Sequence, residues 1–189
     1  MTLLSRPPST ASGLDELATG IRAALSRRDD WRRTAQRVAS VLRRHLPSPE
    51  VLTGIPPGVH SGAHPGVQED PRGRLLHVEP DGAFSIQAIV WPAGRITRIH
   101  DHVTWCVFGV IQGAVDEELF TLGSGGDVLV PAGRTTNATG AVTGFAPPGD
   151  IHRVANTGDG TAVTIHVYGT DLSRIGSSAL RFYDLPVGP

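Results

Sequence analysis

Gly94-Arg95-Ile96-Thr97-Arg98-Ile99-His100-Asp101-His102-Val103-Thr104-Trp105-Cys106 is the stretch whose reading decides the fold, taken with Gly144-Phe145-Ala146-Pro147-Pro148-Gly149-Asp150-Ile151-His152-Arg153-Val154-Ala155-Asn156. His100 and His102 are two apart, so on a strand both imidazoles point to one face. Cys106 has the same parity and shares that face if the strand runs on without a bulge. A His-x-His pair alone is weak evidence in a chain with eight His. The second stretch adds a His after a Pro-Gly turn, at the start of an apolar strand. That strand can lie across a barrel from the first and bring His152 to His100 and His102. Three neutral imidazoles would leave a divalent metal with its full charge, a site suited to an anionic ligand such as a thiolate.

Working outward, Thr164-Ile165-His166-Val167-Tyr168 alternates polar and apolar residues. Turning three polar groups into a barrel is costly unless they bond to one another. At two-residue steps His166 can sit between the hydroxyls of Thr164 and Tyr168 as a relay. From Leu75 onward the chain reads as strands over 74–79, 84–91, 96–102, 105–112, 115–121, 126–130, 142–146, 151–156 and 161–168. Pro80-Asp81-Gly82 and Thr157-Gly158-Asp159-Gly160 mark turns. So many short strands in one domain mean an all-β sandwich or barrel, and a cupin jelly-roll fits the number.

Before the strands the pattern changes. Ser12-Gly13-Leu14-Asp15 reads as a capping box, followed by Leu14, Leu17, Ile21, Ala24 and Leu25 at helical spacing. A second helix is expected from Asp29 or Asp30, with Trp31, Ala35, Val38 and Leu42 as its apolar stripe. Arg32, Arg33, Arg37, Arg43 and Arg44 fall on its solvated face. Residues 47–72 are rich in Pro and Gly and read as a loop wrapping the body. The expected organisation is one domain: 1–46 tail and two N-terminal α-helices packed on the barrel, 47–72 wrapping loop, 73–189 β-barrel.

Composition narrows the function classes. A net charge of −1 gives no reason to expect nucleic acid or an acidic membrane surface as partner. A single Cys allows no internal disulfide, which suits a reducing cytosol. Residues 1–11 lack the apolar core of a signal peptide, and no stretch reaches the roughly 20 apolar residues of a membrane span. A soluble cytoplasmic protein, monomer or homodimer, is the expectation.

The segment from Phe84 to Tyr168 resembles the thiol dioxygenases, the cysteine dioxygenase family of the cupin superfamily. The first cupin motif, G-x5-H-x-H-x3,4-E-x6-G, reads here as Gly94, His100, His102, Cys106 and Gly113, with Cys106 where most cupins carry a ligand Glu. The second, G-x5-P-x-G-x2-H-x3-N, reads as Gly144 to Asn156, with a shorter stretch at its start. His-Asp-His-x-x-Trp at 100–105 and Tyr168-Gly169 are closer to the bacterial branch, which includes mercaptopropionate dioxygenases. The resemblance implies Fe(II) on His100, His102 and His152, and Thr164, His166 and Tyr168 in the family's outer Ser-His-Tyr series. It further implies Cys106 and Tyr168 as the pair that forms a thioether crosslink in some members. It places Arg74 at the carboxylate-binding Arg, or Gly73 if the alignment shifts by one, with Arg174 as the other candidate. The implied substrates are O2 and a small carboxylate-bearing thiol, L-cysteine foremost and 3-mercaptopropionate as the alternative. A three-His cupin with different metal chemistry remains the rival reading, since three His also suit zinc.

Overall fold

A computed structural model of the protein describes residues 10–52 and 73–188. The helices come first. Helix α1 spans Thr10–Leu25 and α2 spans Trp31–Arg44. The expected capping box does not start α1, because Ser12 already lies inside the helix. Asp30 does cap α2: its carboxylate accepts from the Arg33 backbone N–H at 2.9 Å, satisfying one of the donors a helix start leaves open. A single 3-10 turn, Pro49–Leu52, follows. The rest of the anticipated wrapping loop, 53–72, and residues 1–9 lie outside the described residues.

Ten strands follow: β1 (Gly73–Val78), β2 (Ser85–Trp91), β3 (His100–His102), β4 (Cys106–Gln112), β5 (Ala114–Leu122), β6 (Leu129–Ala138), β7 (Val142–Phe145), β8 (His152–Ala155), β9 (Ala162–Tyr168) and β10 (Ala179–Phe182). They form two antiparallel five-stranded sheets, ordered β1-β2-β9-β4-β7 and β10-β3-β8-β5-β6. This is the all-β jelly-roll the alternating segments called for. Two differences from the sequence expectation have clear causes. Strand β6 runs on past 130 through Pro131 and Gly133, and β10 was not expected at all. Both are edge strands, where Pro and polar residues are tolerated because one side of the ladder is open. Their sequences therefore lack the apolar alternation that marks a half-buried strand. Conversely, the expected strand 96–102 shrinks to three residues, with Ile96 making only an isolated bridge to Ala155.

The helices cover the outer face of the first sheet. Leu17, Ile21, Val38 and Leu42 are fully buried, in one cluster with Phe84, Ile86, Val107, Ile165 and Val167. On β9, Ile165 and Val167 face this helical layer, which turns Thr164, His166 and Tyr168 the other way, into the barrel. Helix docking and site orientation are thus two consequences of one strand's alternation. Within the barrel a smaller cluster of Ile89, Trp91, Phe108, Val110, Val115 and Val154 closes one end.

Because Leu42 is fully buried between α2 and the sheet, Leu42→Ala should lower the unfolding free energy by about 2–5 kcal/mol. Chemical denaturation measures it; a loss well below that range would mean that α2 is not an integral part of the core.

Candidate metal centre

Strands β3 and β8 pair at one point, His100 opposite His152. His102, two residues along β3, completes a cluster. The candidate ligand atoms of the three lie within 4.8 Å of one another, with ring centroids 4.8–5.0 Å apart. Each Nδ1 already has a partner. His100 Nδ1 lies 2.9 Å from the Arg98 carbonyl oxygen, His102 Nδ1 3.1 Å from Asp150 Oδ2, and His152 Nδ1 2.8 Å from Glu117 Oε1. Each partner is an acceptor, so each Nδ1 carries its hydrogen and donates it. That leaves three Nε2 lone pairs free, the tautomer in which imidazole ligates a metal. Burial pushes the His100 and His102 imidazoles well below their ordinary range, with the neighbouring His152 as the next cause. Neutral nitrogens with fixed tautomers fit a divalent first-row ion.

Asp101, between the two His of β3, faces the opposite way. Its Oδ2 accepts from the Arg181 guanidinium and from the Tyr183 hydroxyl at 2.8 Å. This clamp ties the three-residue β3 to β10 and its continuation. Asn156, the last residue of the second motif, donates to the carbonyls of Trp91 (2.8 Å) and Gly160 (2.7 Å). It ties the start of the β8–β9 connection, which crosses between the two sheets, to the end of β2.

A cavity of about 90 Å³ opens over the imidazoles. His100, His102, His152, His166 and Tyr168 line it together with Gln87, Trp91, Phe145, Ser177, Ser178 and Phe182, among others. The β9 series forms a chain of contacts along its wall. Trp91 Nε1 donates to Thr164 Oγ1 at 2.8 Å, Thr164 Oγ1 is 2.9 Å from His166 Nε2, and His166 Nδ1 is 3.2 Å from the Tyr168 hydroxyl. Burial drives the His166 imidazole down to about 3, assisted by the three neighbouring His, so it is neutral at physiological pH. Cys106 sits directly opposite Tyr168 across β4 and β9, with its sulfur 3.8 Å from His166 Nδ1. Burial, then the Glu117 carboxylate, raises its thiol well above the ordinary range.

The two candidate arginines are placed elsewhere. Arg74 Nη1 donates to the Leu52 carbonyl at 3.2 Å, and Arg74 is not among the described residues that line the cavity. Arg174 is exposed and pairs with Asp171 at 3.4 Å. It is Gly73 that lines the cavity. A Cβ on Gly73 would come within 2.0 Å of Gln87 Nε2, so the Gln87 amide occupies the space a β1 side chain would take.

Sequence reasoning passed over Glu117, Asp150 and Trp91. A signal for the first existed: Asp116-Glu117-Glu118 puts three consecutive acids inside a strand whose other residues, Thr121 apart, are apolar. Asp116 and Glu118 face outward to Arg134, Thr136, Thr157 and Arg153. Glu117, of opposite parity, turns to the site.

The fold and its triad define a β-barrel whose three clustered imidazoles fit a metal site. The family model for cysteine dioxygenase type I matches residues 67–179, more than half of the chain, and the chain belongs to that family. Its barrel is also similar to solved cupins. A Cupin 2 conserved barrel domain protein from Salinispora arenicola CNS-205 is 19% identical, with a TM-score of 0.42 over 55% of this chain and 81% of that one. The cupin domain of Schizosaccharomyces pombe Cnp3 is 17% identical, with a TM-score of 0.43 over 58% and 68%. A recombinant oxalate oxidase in complex with glycolate is 17% identical, with a TM-score of 0.40 over 47% and 43%. No helix among the described residues is long and apolar enough to cross a membrane.

His166 supplies a pH prediction. Its imidazole titrates near 3 in the fold and near 6.5 unfolded. Above pH 6.5 neither state is protonated and the group contributes nothing. Below it the unfolded chain takes up a proton that the native state refuses, so stability falls as pH falls. At pH 5 this amounts to about 2 kcal/mol. The metal-free protein should lose stability between pH 7 and pH 5, and His166→Asn should flatten that loss by about this amount in denaturation curves. Equal slopes in the two proteins would contradict it.

Proposed function

We propose that the protein is an iron(II)-dependent thiol dioxygenase. It would add both atoms of dioxygen to the sulfur of a small thiol, RS⁻ + O2 → RSO2⁻, giving a sulfinate. L-cysteine is the first candidate substrate and 3-mercaptopropionate the alternative. The observation that carries the reading is the converging triad His100, His102 and His152 at the base of a cavity that also holds Tyr168, in a chain of the cysteine dioxygenase family. Bound through the three Nε2 atoms, the ion would supply open positions at which thiolate and dioxygen meet.

The remaining work falls to the chain's own residues. The Trp91 indole is a donor only, so the Thr164 oxygen accepts from it. The Thr164 hydroxyl hydrogen then goes to His166 Nε2, since a buried hydroxyl without a partner is costly. His166 therefore carries its proton on Nδ1 and donates it to the Tyr168 oxygen. The chain of bonds has one direction and ends at the Tyr168 oxygen, at the wall of the cavity. The Tyr168 hydroxyl is thus held in a fixed position beside the oxidant and substrate. The apolar walls, Ile89, Phe145, Val154 and Phe182, exclude water from the sulfur. The substrate's tail meets Gln87, Ser177 and Ser178, neutral groups that offer both donors and acceptors. Cys106 opposite Tyr168 supports a thioether, in whose formation dioxygen would accept one hydrogen from the thiol and one from the Tyr ring and leave as hydrogen peroxide.

Loading the protein with Fe(II), offering both thiols, and following oxygen uptake with sulfinate formation tests the reaction. Stoichiometric uptake is expected. Retained zinc or nickel with no oxygen uptake would favour the rival metal chemistry. His100→Ala, His102→Ala and His152→Ala should each abolish iron binding, and retained iron stoichiometry in two of them would sink the site. Tyr168→Phe should lower kcat on the order of 100-fold, with Trp91→Phe causing a smaller loss. A Trp91→Phe enzyme of full activity would remove the case for a directed relay. Intact mass after turnover should show a fraction lacking two hydrogens, with a Cys106–Tyr168 crosslinked peptide; its absence leaves Cys106 as a small buried apolar residue.

A further inference from the structure

Two carboxylates stand directly behind the imidazoles. Glu117 Oε1 is 2.8 Å from His152 Nδ1. Asp150 Oδ2 is 3.1 Å from His102 Nδ1 and also accepts from the His102 backbone N–H at 2.9 Å. Both are buried, at 6% and 2% exposure. Neither forms an ion pair with an Arg among the described residues; their charge partners are the two imidazoles. Asp116 and Glu118, one residue to either side of Glu117, do reach Arg side chains.

Buried anions are expensive unless a cation compensates them. A neutral imidazole offers a hydrogen bond but no charge. The arrangement balances only when a cation sits on the far side of the rings. We propose that Glu117 and Asp150 are positioning residues for a divalent metal: each fixes one ligand's tautomer and orientation, and together they supply the two negative charges that neutralise the ion. The inference rests on the metal reading of the site, not on thiol oxidation. It also amends the view that three neutral ligands leave the ion uncompensated. A thiolate would bind through its direct bond to the metal rather than to cancel an open charge, and negative charge behind two ligands makes the bound ion easier to oxidise.

Glu117→Gln and Asp150→Asn keep an oxygen acceptor of the same shape and delete the charge. Co(II) alone, titrated into the metal-free protein and followed by its visible absorption, gives the affinity. Each variant should bind about 10–100-fold more weakly than the wild type. The midpoint potential of bound iron should rise in both. The metal-free variants should unfold at the same temperature as the wild type or higher, because an uncompensated buried charge has been removed. That last readout separates a metal-directed role from a structural one. Unchanged Co(II) affinity in both variants overturns the proposal. So does weakened affinity accompanied by a lower unfolding temperature of the metal-free protein, which is what a merely structural carboxylate gives. A wild-type protein that binds no Co(II) would overturn it together with the metal reading, whereas metal binding without thiol oxidation would overturn the dioxygenase reading alone.

Discussion

Every polar group inside this barrel must be matched, and that requirement organises the molecule. The inner faces of the two sheets and the 147–150 turn carry four imidazoles, a phenol, a threonine hydroxyl and two carboxylates, all at least nine-tenths buried except His100 at the cavity wall. Left unpaired, each would cost on the order of 1–3 kcal/mol or more. The structure matches them in two sets. One is the Trp91–Thr164–His166–Tyr168 chain along β2 and β9. The other is the ring of imidazoles backed by Glu117, Asp150 and the Arg98 carbonyl. Hydrogen bonds within each set fix tautomers as well as positions, so the chemistry of the site follows from the need to bury it.

The second sheet has to hold these groups still with little strand to work with. Strand β3 is three residues long, and its pairing with β8 is a single register pair. Its rigidity comes from side chains. Asp101 is gripped by Arg181 and Tyr183 on the far side, and the Asp150 carboxylate receives the His102 backbone N–H. One residue, Asp150, therefore joins the placement of the His102 backbone to the orientation of its ring. The adjoining Pro147-Pro148-Gly149 run brings it there, and α2 reaches the same turn through Arg32 Nη2, which donates to the Pro148 carbonyl at 2.8 Å.

The first sheet contributes by alternation. Strand β9 is buried along its whole length, with Ile165 and Val167 against the helices and Thr164, His166 and Tyr168 against the cavity. Strand β1 shows what happens when alternation is interrupted. Its register with β2 shifts between Leu75 and His77, and Gly73 rather than Arg74 faces the cavity. Arg74, the position an ungapped alignment selects, reaches the Leu52 carbonyl instead. Gln87 fills the space, so the cavity wall there presents an amide.

The sequence by itself determined the elements whose signal is local. Period-two alternation marked the inner strands and 3.6-period stripes marked the helices. The spacing of His100, His102 and His152 was legible because strand parity and the Pro-Gly turn limit where those imidazoles can point. The shared face of Thr164, His166 and Tyr168 was legible for the same reason. Tertiary structure alone decided what depends on partners distant in the chain. The edge strands β6 and β10 escape periodicity because each has a neighbouring strand on one side alone, β6 meeting only an isolated bridge at Leu129 on the other. Glu117 and Asp150 come to stand behind the imidazoles only when β5 and the 147–150 turn close around β3 and β8, since a carboxylate's role is set by what lies within about 3 Å of it. The placement of Gly73 over Arg74 was likewise a tertiary decision: one shift in register on β1 reverses which face each side chain takes, and no count along the chain reveals where that shift falls.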